Sequence, residues 1–248
     1  MPPRLHLVVF LAAGLLLTGC SDSTTTARAT PRDPAQHAPA PSPVRAEQAA
    51  APTDIPGLGP RTLSRIPAAA RQAIVVTGDG ADATTGTAQR YIRDATTGWR
   101  RLGTPWPTRN ALKGWTAHHV QGDLRTPSGV FGLTDAGGHE PNPGTELPYD
   151  TGPAFVAHGT NAEGEPLGDA FDYVVAINYN RKPGTTPLDW TRPLGMNRGG
   201  GIWFHVDHGG PTQGCVTLPK PRMRELLRWL DKESRPVVVM GDKTTLER

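Results

Sequence analysis

The chain has 248 residues, of which 29 are Gly, 26 are Pro and 36% are hydrophobic, with a formal net charge of +3. This much Gly and Pro excludes a helical bundle and predicts short strands, turns and loops in one medium-sized domain with accessory segments. The basic surplus is small and interspersed with acids, and no basic run or interleaved aromatic pattern marks a nucleic-acid groove, so no nucleic-acid partner is expected.

In chain order, residues 1–19 carry Arg4 and then the apolar run "LHLVVFLAAGLLLTG", too short for a comfortable membrane span and typical of an export signal. The run ends in "LTGC", Leu17 to Cys20, which resembles a bacterial lipobox. The expectation is cleavage before Cys20 and acylation of its thiol, tethering the chain to an extracytoplasmic membrane face. The competing reading is an ordinary secretory signal that contains a cysteine. From 20 to 54 the composition is Ser, Thr, Ala, Pro and Gln, too poor in aliphatic side chains to offset ordering entropy, and it reads as a disordered tether.

The folded domain is expected over 55–248. Strands are predicted at 72–78 ("QAIVVTG") and 87–94 ("TAQRYIRD"), joined by a turn-rich linker, then long Gly/Pro-rich loops over 95–170. Further strands are predicted at 173–180 ("YVVAINYN"), in "GIWFHV", in "GCVTL" and at 236–241. One helix stands out at 221–234, with Pro221 suited to its first turn and Met223, Leu226, Leu227 and Leu230 on one stripe. The sum is a mainly β domain with one packed C-terminal helix.

The chain has two cysteines. If Cys20 is acylated, Cys215 is a lone thiol in an oxidising compartment, which marks it as a candidate reactive group. Alternation places Ile202, Phe204 and Val206 on one face of a strand with Trp203 and His205 on the other, and likewise sets Val216 and Leu218 against Cys215 and Thr217. A hairpin centred on Gly210 would bring His205 directly opposite Cys215, in hydrogen-bonding reach. Imidazole beside thiol favours the thiolate, and the bare Gly214 would let a substrate carbonyl approach the N–H groups of Gly214 and Cys215 as an oxyanion hole. Two competing readings are an inert buried thiol and a zinc site built from His205, His208 and Cys215. No Cys-x-x-Cys or His-Glu-x-x-His pattern supports the metal.

The residues "IWFHV…PTQGCVTL" resemble the catalytic signature of the L,D-transpeptidases (YkuD-type domain), most like a branch with "IFxHv…PTxGCV". "QGDLRTPSGVFGL" (121–133), "INYN" (177–180) and "RGGG" (198–201) resemble further segments of that branch, in order, over about 55–248. The resemblance implies a β-sandwich-like catalytic domain, Cys215 as nucleophile, His205 as its base, and no metal or organic cofactor. Two departures stand out: Gln213 occupies the place of a second histidine frequent in the family, and Thr217 that of a frequent arginine.

By resemblance, the partner is a peptidoglycan stem peptide. Cys215 attacks the L-centre carbonyl of its diamino acid, D-alanine leaves, and a neighbouring stem amine resolves the thioester into a 3→3 cross-link. The alternatives are an L,D-carboxypeptidase, in which water resolves the same intermediate, and a non-catalytic wall-binding lipoprotein. Thr212, Gln213, His208 and Arg198 are candidate substrate contacts, Arg198 toward a stem carboxylate; for His208 and Arg198 a solvated loop position is the competing reading. The adjacent His118 and His119 are expected at the surface.

Overall fold

A computed structural model describes residues 53–157, 159–161 and 163–248. The expected signal peptide, Cys20 and all but the last two residues of the expected tether lie outside the described residues. Those two already belong to the fold: the Thr53 N–H donates to the Thr97 carbonyl at 2.9 Å and the Trp99 N–H to that of Thr53 at 2.7 Å.

Eleven strands and three short helices follow in order. They are α1 (Pro60–Leu63), β1 (Gln72–Gly78), β2 (Thr85–Asp94), β3 (Gly98–Arg109), β4 (Trp115–Thr116), β5 (Thr126–Pro127), β6 (Gly129–Gly138), β7 (Tyr149–Thr151), β8 (Val174–Ile177), β9 (Trp203–Val206), β10 (Val216–Leu218), α2 (Lys220–Trp229), β11 (Val237–Asp242) and α3 (Lys243–Leu246). Nine strands form one mixed sheet in the order β11-β1-β2-β3-β10-β9-β8-β6-β7, and β11 also pairs with β6, so the sheet closes on itself. β4 and β5 form a separate parallel pair. Among the described residues, no helix is long and apolar enough to cross a membrane.

The core lies inside the closed sheet. Alternate residues point there: Ile74 and Val76 from β1, Val175 and Ile177 from β8, Phe204 and Val206 from β9, Val216 and Leu218 from β10, Val238 and Met240 from β11. Helix α2 contributes Met223, Leu226 and Leu227, and Leu230 follows at its end; all four are fully buried. The outer faces of β1 and β11 are covered too. Ala73, Val75, Val237 and Val239 pack in a second cluster with Ile55, Ile66 and Leu246, which explains why both strands read as continuous apolar runs.

The predicted helix ends earlier than 234. Leu230 is extended, and 232–234 is a separate 3-10 turn whose Glu233 N–H is capped by the Asp231 side chain. The amide of Gln72 closes the end of α2, donating to the Trp229 carbonyl at 2.6 Å and accepting the Asp231 N–H at 2.9 Å.

The expected loops over 95–170 are corrected by the structure: they contain β3 and β6, two of the longest strands. Their Pro and Gly have positional causes. Pro105 and Pro107 in β3 are exposed, and β3 meets β10 only at Arg109, so most of its second edge is unpaired and tolerates a missing N–H. In β6, a Cβ on Gly137 would lie 2.6 Å from the Asp150 carbonyl oxygen and from the Phe155 ring. Glycine there permits close strand approach; it does not break the strand.

The packing of α2 yields a test. Leu226→Ala, fully buried between helix and sheet, is expected to cost about 2–5 kcal/mol in urea unfolding. A loss below about 1 kcal/mol would mean that the helix does not close this core.

Candidate active site

The pairing of β9 with β10 builds the site. The two strands are parallel, with Phe204 opposite Val216, His205 opposite Thr217 and Val206 opposite Leu218. The expected hairpin about Gly210 does not form, because the connecting segment leaves to pair elsewhere. The Thr212 N–H donates to the Asn110 carbonyl at 3.0 Å, and the Leu112 N–H donates back to Thr212 at 3.0 Å. The face assignment survives this change of topology. Phe204, Val206, Val216 and Leu218 are in the core, and Trp203, His205 and Thr217 share the other face. Cys215, one residue before β10, therefore stands diagonal to His205, and the expected hydrogen bond between them is not made: the sulfur contacts the Trp203 N–H and the Gly201 carbonyl instead.

His205 is 3% exposed. Its ring stacks on that of His208 at 5.6 Å and meets the Phe171 ring edge-on at 5.4 Å. Its Nδ1 lies 2.9 Å from the Val206 carbonyl oxygen. A carbonyl only accepts, so Nδ1 carries the proton and Nε2 keeps its lone pair. Burial, reinforced by the stacked His208, holds this imidazole down at about 4. His208, expected as a solvated loop residue or a substrate contact, is instead half-buried against His205.

Cys215 Sγ accepts the Trp203 N–H at 3.4 Å and lies 3.6 Å from the Gly201 carbonyl, toward which its S–H donates. The side chain reaches a cavity of about 260 Å³ lined mostly by apolar groups, among them Phe171, Leu188, Trp190 and Trp203. Burial pushes the thiol up to about 11, opposed in part by the Trp203 N–H. The side that faces the cleft is only partly covered, so solvent softens this rise without changing its direction. Thiol and imidazole are both neutral at rest.

The loop carrying Cys215 is held by two threonines. Thr212 Oγ1 donates to the Cys215 carbonyl at 2.7 Å and accepts the Gly214 N–H at 3.2 Å. Thr126, from the "TPSG" segment, lies behind it, accepting the Ala111 N–H at 2.9 Å with its hydroxyl 3.5 Å from the same Cys215 carbonyl. Two expectations change here. The Gly214 N–H, expected as an oxyanion donor, is committed to Thr212, whereas that of Cys215 has no partner among the described residues. The bare Gly214 packs closely on Ile202: a Cβ there would lie 2.9 Å from Ile202 Cδ1, so that side chain would have to shift.

Of the remaining expected contacts, Thr212 is buried behind the loop and Gln213 is exposed. Neither lines the cavity with Cys215, nor does Arg198, whose carbonyl accepts the Tyr179 hydroxyl at 2.9 Å. Arg192 lines it instead. The "YN" pair shapes this wall: Asn180 Nδ2 donates to the Gly195 and Gly199 carbonyls, and its Oδ1 accepts the Leu194 N–H at 2.7 Å. His118 is exposed as expected, but His119 is buried, edge-on to Tyr179 at 5.3 Å. Its Nδ1 is 2.9 Å from Asp123 Oδ1 without hydrogen-bond alignment, and burial lowers its pKa.

No local pattern marks Phe171 or Arg192 beyond their residue types in loops. Among the described residues, the ligand atoms of His205, His208 and Cys215 do not converge as a metal set would. The one group that does is His139, Glu140 and Asp172, and there Asp172 is already paired with Lys220.

The charge state and the threonine clamp each make a prediction. Iodoacetamide alkylation of Cys215, followed by peptide mapping, should rise steadily as pH climbs from 7 toward 11, since only the thiolate reacts. A rate already level between pH 5 and 8 would reveal a preformed thiolate–imidazolium pair. Thr212→Val, nearly isosteric, removes both loop bonds and should lower unfolding free energy by about 1–3 kcal/mol; unchanged stability and activity together would show that the clamp is idle.

In comparison with known proteins, the YkuD family model, L,D-transpeptidase catalytic domain, matches residues 69–239. No curated protein matches the chain.

Proposed function

The chain belongs to the YkuD family of L,D-transpeptidase catalytic domains, and from this premise we propose that it is a cysteine acyltransferase that forms 3→3 cross-links between peptidoglycan stem peptides. The family acts on the cell wall, and its members are cysteine-dependent transpeptidases. The observation that carries the reading is local. A sulfur opens onto an apolar cleft, and a buried imidazole on the same sheet face has its Nδ1 proton fixed on the Val206 carbonyl, leaving Nε2 to accept a proton.

Chemistry follows from these positions. As the donor stem fills the cleft, the Cys215 S–H proton passes to His205 Nε2 and the sulfur attacks the carbonyl on the L-centre of the diamino acid. The developing oxyanion takes the Cys215 N–H. Collapse breaks the C–N bond, and the imidazolium returns its proton to the departing D-alanine amine. An acceptor amine, deprotonated by the same imidazole, attacks the thioester and releases the sulfur. Burial favours the neutral form of both residues, so the mechanism starts from thiol and imidazole, not from a standing ion pair.

The export signal, with Cys20 as a lipid-bearing residue and the segment 20–54 as a tether, suits an enzyme anchored at a membrane face whose substrate lies some distance away.

Incubation with disaccharide-tetrapeptide, read by mass spectrometry, tests the reading. Cross-linked dimer with loss of D-alanine is expected; tripeptide alone would make the protein an L,D-carboxypeptidase, and unchanged substrate with folded protein a wall-binding module. Cys215→Ala should abolish thioester and product, and His205→Ala should slow turnover by about 10²–10⁴-fold. Wild-type activity in Cys215→Ala would falsify the mechanism.

A further inference from the structure

We propose that Arg192 sets substrate specificity in this cleft by receiving a carboxylate of the donor stem peptide on the open edge of its guanidinium. This rests on the function proposed above and names a recognition element within it.

The guanidinium lines the same cavity as Cys215. Its Nη1 donates to the carbonyls of Asp189 at 3.1 Å and Thr191 at 3.2 Å, which fixes the plane of the group. Trp190 supports one side, with the guanidinium carbon 5.0 Å from its ring centroid. Nε and Nη2 have no partner among the described residues. These two atoms form the edge of arginine that takes both oxygens of a carboxylate.

Backbone lies against the flat of the group. A Cβ on Gly200 would lie 2.2 Å from Arg192 Nε, and one on Gly201 would lie 3.4 Å from Nη2. Glycine at 200 thus lets the guanidinium lie flat against the backbone, while its Nε–Nη2 edge keeps no protein partner among the described residues. Gly201 is also the residue whose carbonyl contacts Cys215 Sγ at 3.6 Å. An anion on Arg192 would therefore sit close to the carbonyl under attack, which places it on the scissile residue or its immediate neighbour.

Asp189 lines the same cavity and its charge favours the Arg192 cation, but it makes no direct ion pair with it. Its Oδ1 accepts the Thr191 N–H at 2.7 Å. Arg90, Arg109, Arg125, Arg181 and Arg222 each have a carboxylate within 4.0 Å. Unpaired arginines are common on open surface. Arg192 differs in being partly withdrawn from water, in a cavity whose other walls are mostly apolar, where a charge-assisted contact gains strength.

A donor tetrapeptide has two carboxylates near its scissile bond, the terminal one on D-alanine and the one on the side chain of the diamino acid. Three peptides separate them: the free acid, its C-terminal amide, and the peptide amidated at the diamino acid side chain. Thioester formation at Cys215 is measured by mass spectrometry for wild type, Arg192→Gln and Arg192→Lys, with thermal melting to check each fold.

Wild type is expected to lose about 10- to 100-fold in rate on one of the two amides, which identifies the carboxylate recognised. Arg192→Gln should be equally slow on acid and amide, and Arg192→Lys intermediate. Equal rates of wild type on all three peptides, or unchanged discrimination in Arg192→Gln, would overturn the inference while leaving the function standing. Calorimetric binding of the same peptides to Cys215→Ala, with and without Arg192→Gln, supplies a readout without chemistry. Acid-over-amide binding that depends on Arg192 supports the inference even if no thioester forms, an outcome that would refute only the proposed reaction. Should Arg192→Gln not fold, Arg192→Lys decides alone: undiminished discrimination there refutes bidentate recognition.

Discussion

Parallel pairing of β9 with β10 is the constraint on which the cleft depends. It is enforced from the core side, where Phe204, Val206, Val216 and Leu218 are at most 2% exposed. A shift of one residue in either strand would turn those side chains outward and bring His205 or Thr217 into an apolar interior with no partner. The hydrophobic core therefore decides which sheet face carries sulfur and imidazole. Stability and the placement of the chemical groups are two consequences of one register.

Around that register, polar clamps on loops do the positioning. Arg181 Nη1 donates to Asp135 Oδ2 and to Asn178 Oδ1, each at 2.7 Å, and its Nη2 donates to the Thr185 carbonyl at 2.7 Å. Both members of the Arg181–Asp135 pair are 3% exposed. A buried pair gains little net stability over apolar packing but is costly to break. Here it holds the start of the segment that runs on to Leu188, Trp190 and Arg192 in the cleft wall. Asn180 fixes the far end of that segment through Gly195 and Gly199. The wall is a loop with both ends tied to strand β8 and its extension, which is how a non-regular segment acquires a defined shape.

What could be read in the sequence follows the range of each force. Period-two alternation is local, so the faces of 202–206 and 215–218 were legible, as were β1, β11 and the stripe of α2. Strand partnership is not local. The Gly/Pro-rich linker 207–215 has the composition of a hairpin turn, yet Thr212 pairs with residues 110–112, a contact about 100 positions away that no local pattern encodes. The same limit explains why β3 was hidden by its prolines, and why Arg198 was singled out when Arg192 lines the cleft: both are loop arginines, and only the folding of 181–201 distinguishes them. His119 looked like surface because its burial comes from Tyr179, a residue of another segment.

The neutral resting state also bears on how such a thiol survives. The thiolate is the form that is oxidised and alkylated as well as the form that attacks carbonyls, so a permanently ionised Cys215 would be open to oxidants. Burial shifts both partners the other way, the thiol up and the imidazole down. In the proposed mechanism the proton moves only when a substrate supplies the electrophile, in a cleft whose wall carries both Arg192 and Asp189. On that mechanism a cysteine stays chemically quiet without being sealed off, because its activation is coupled to occupancy of the cavity it faces.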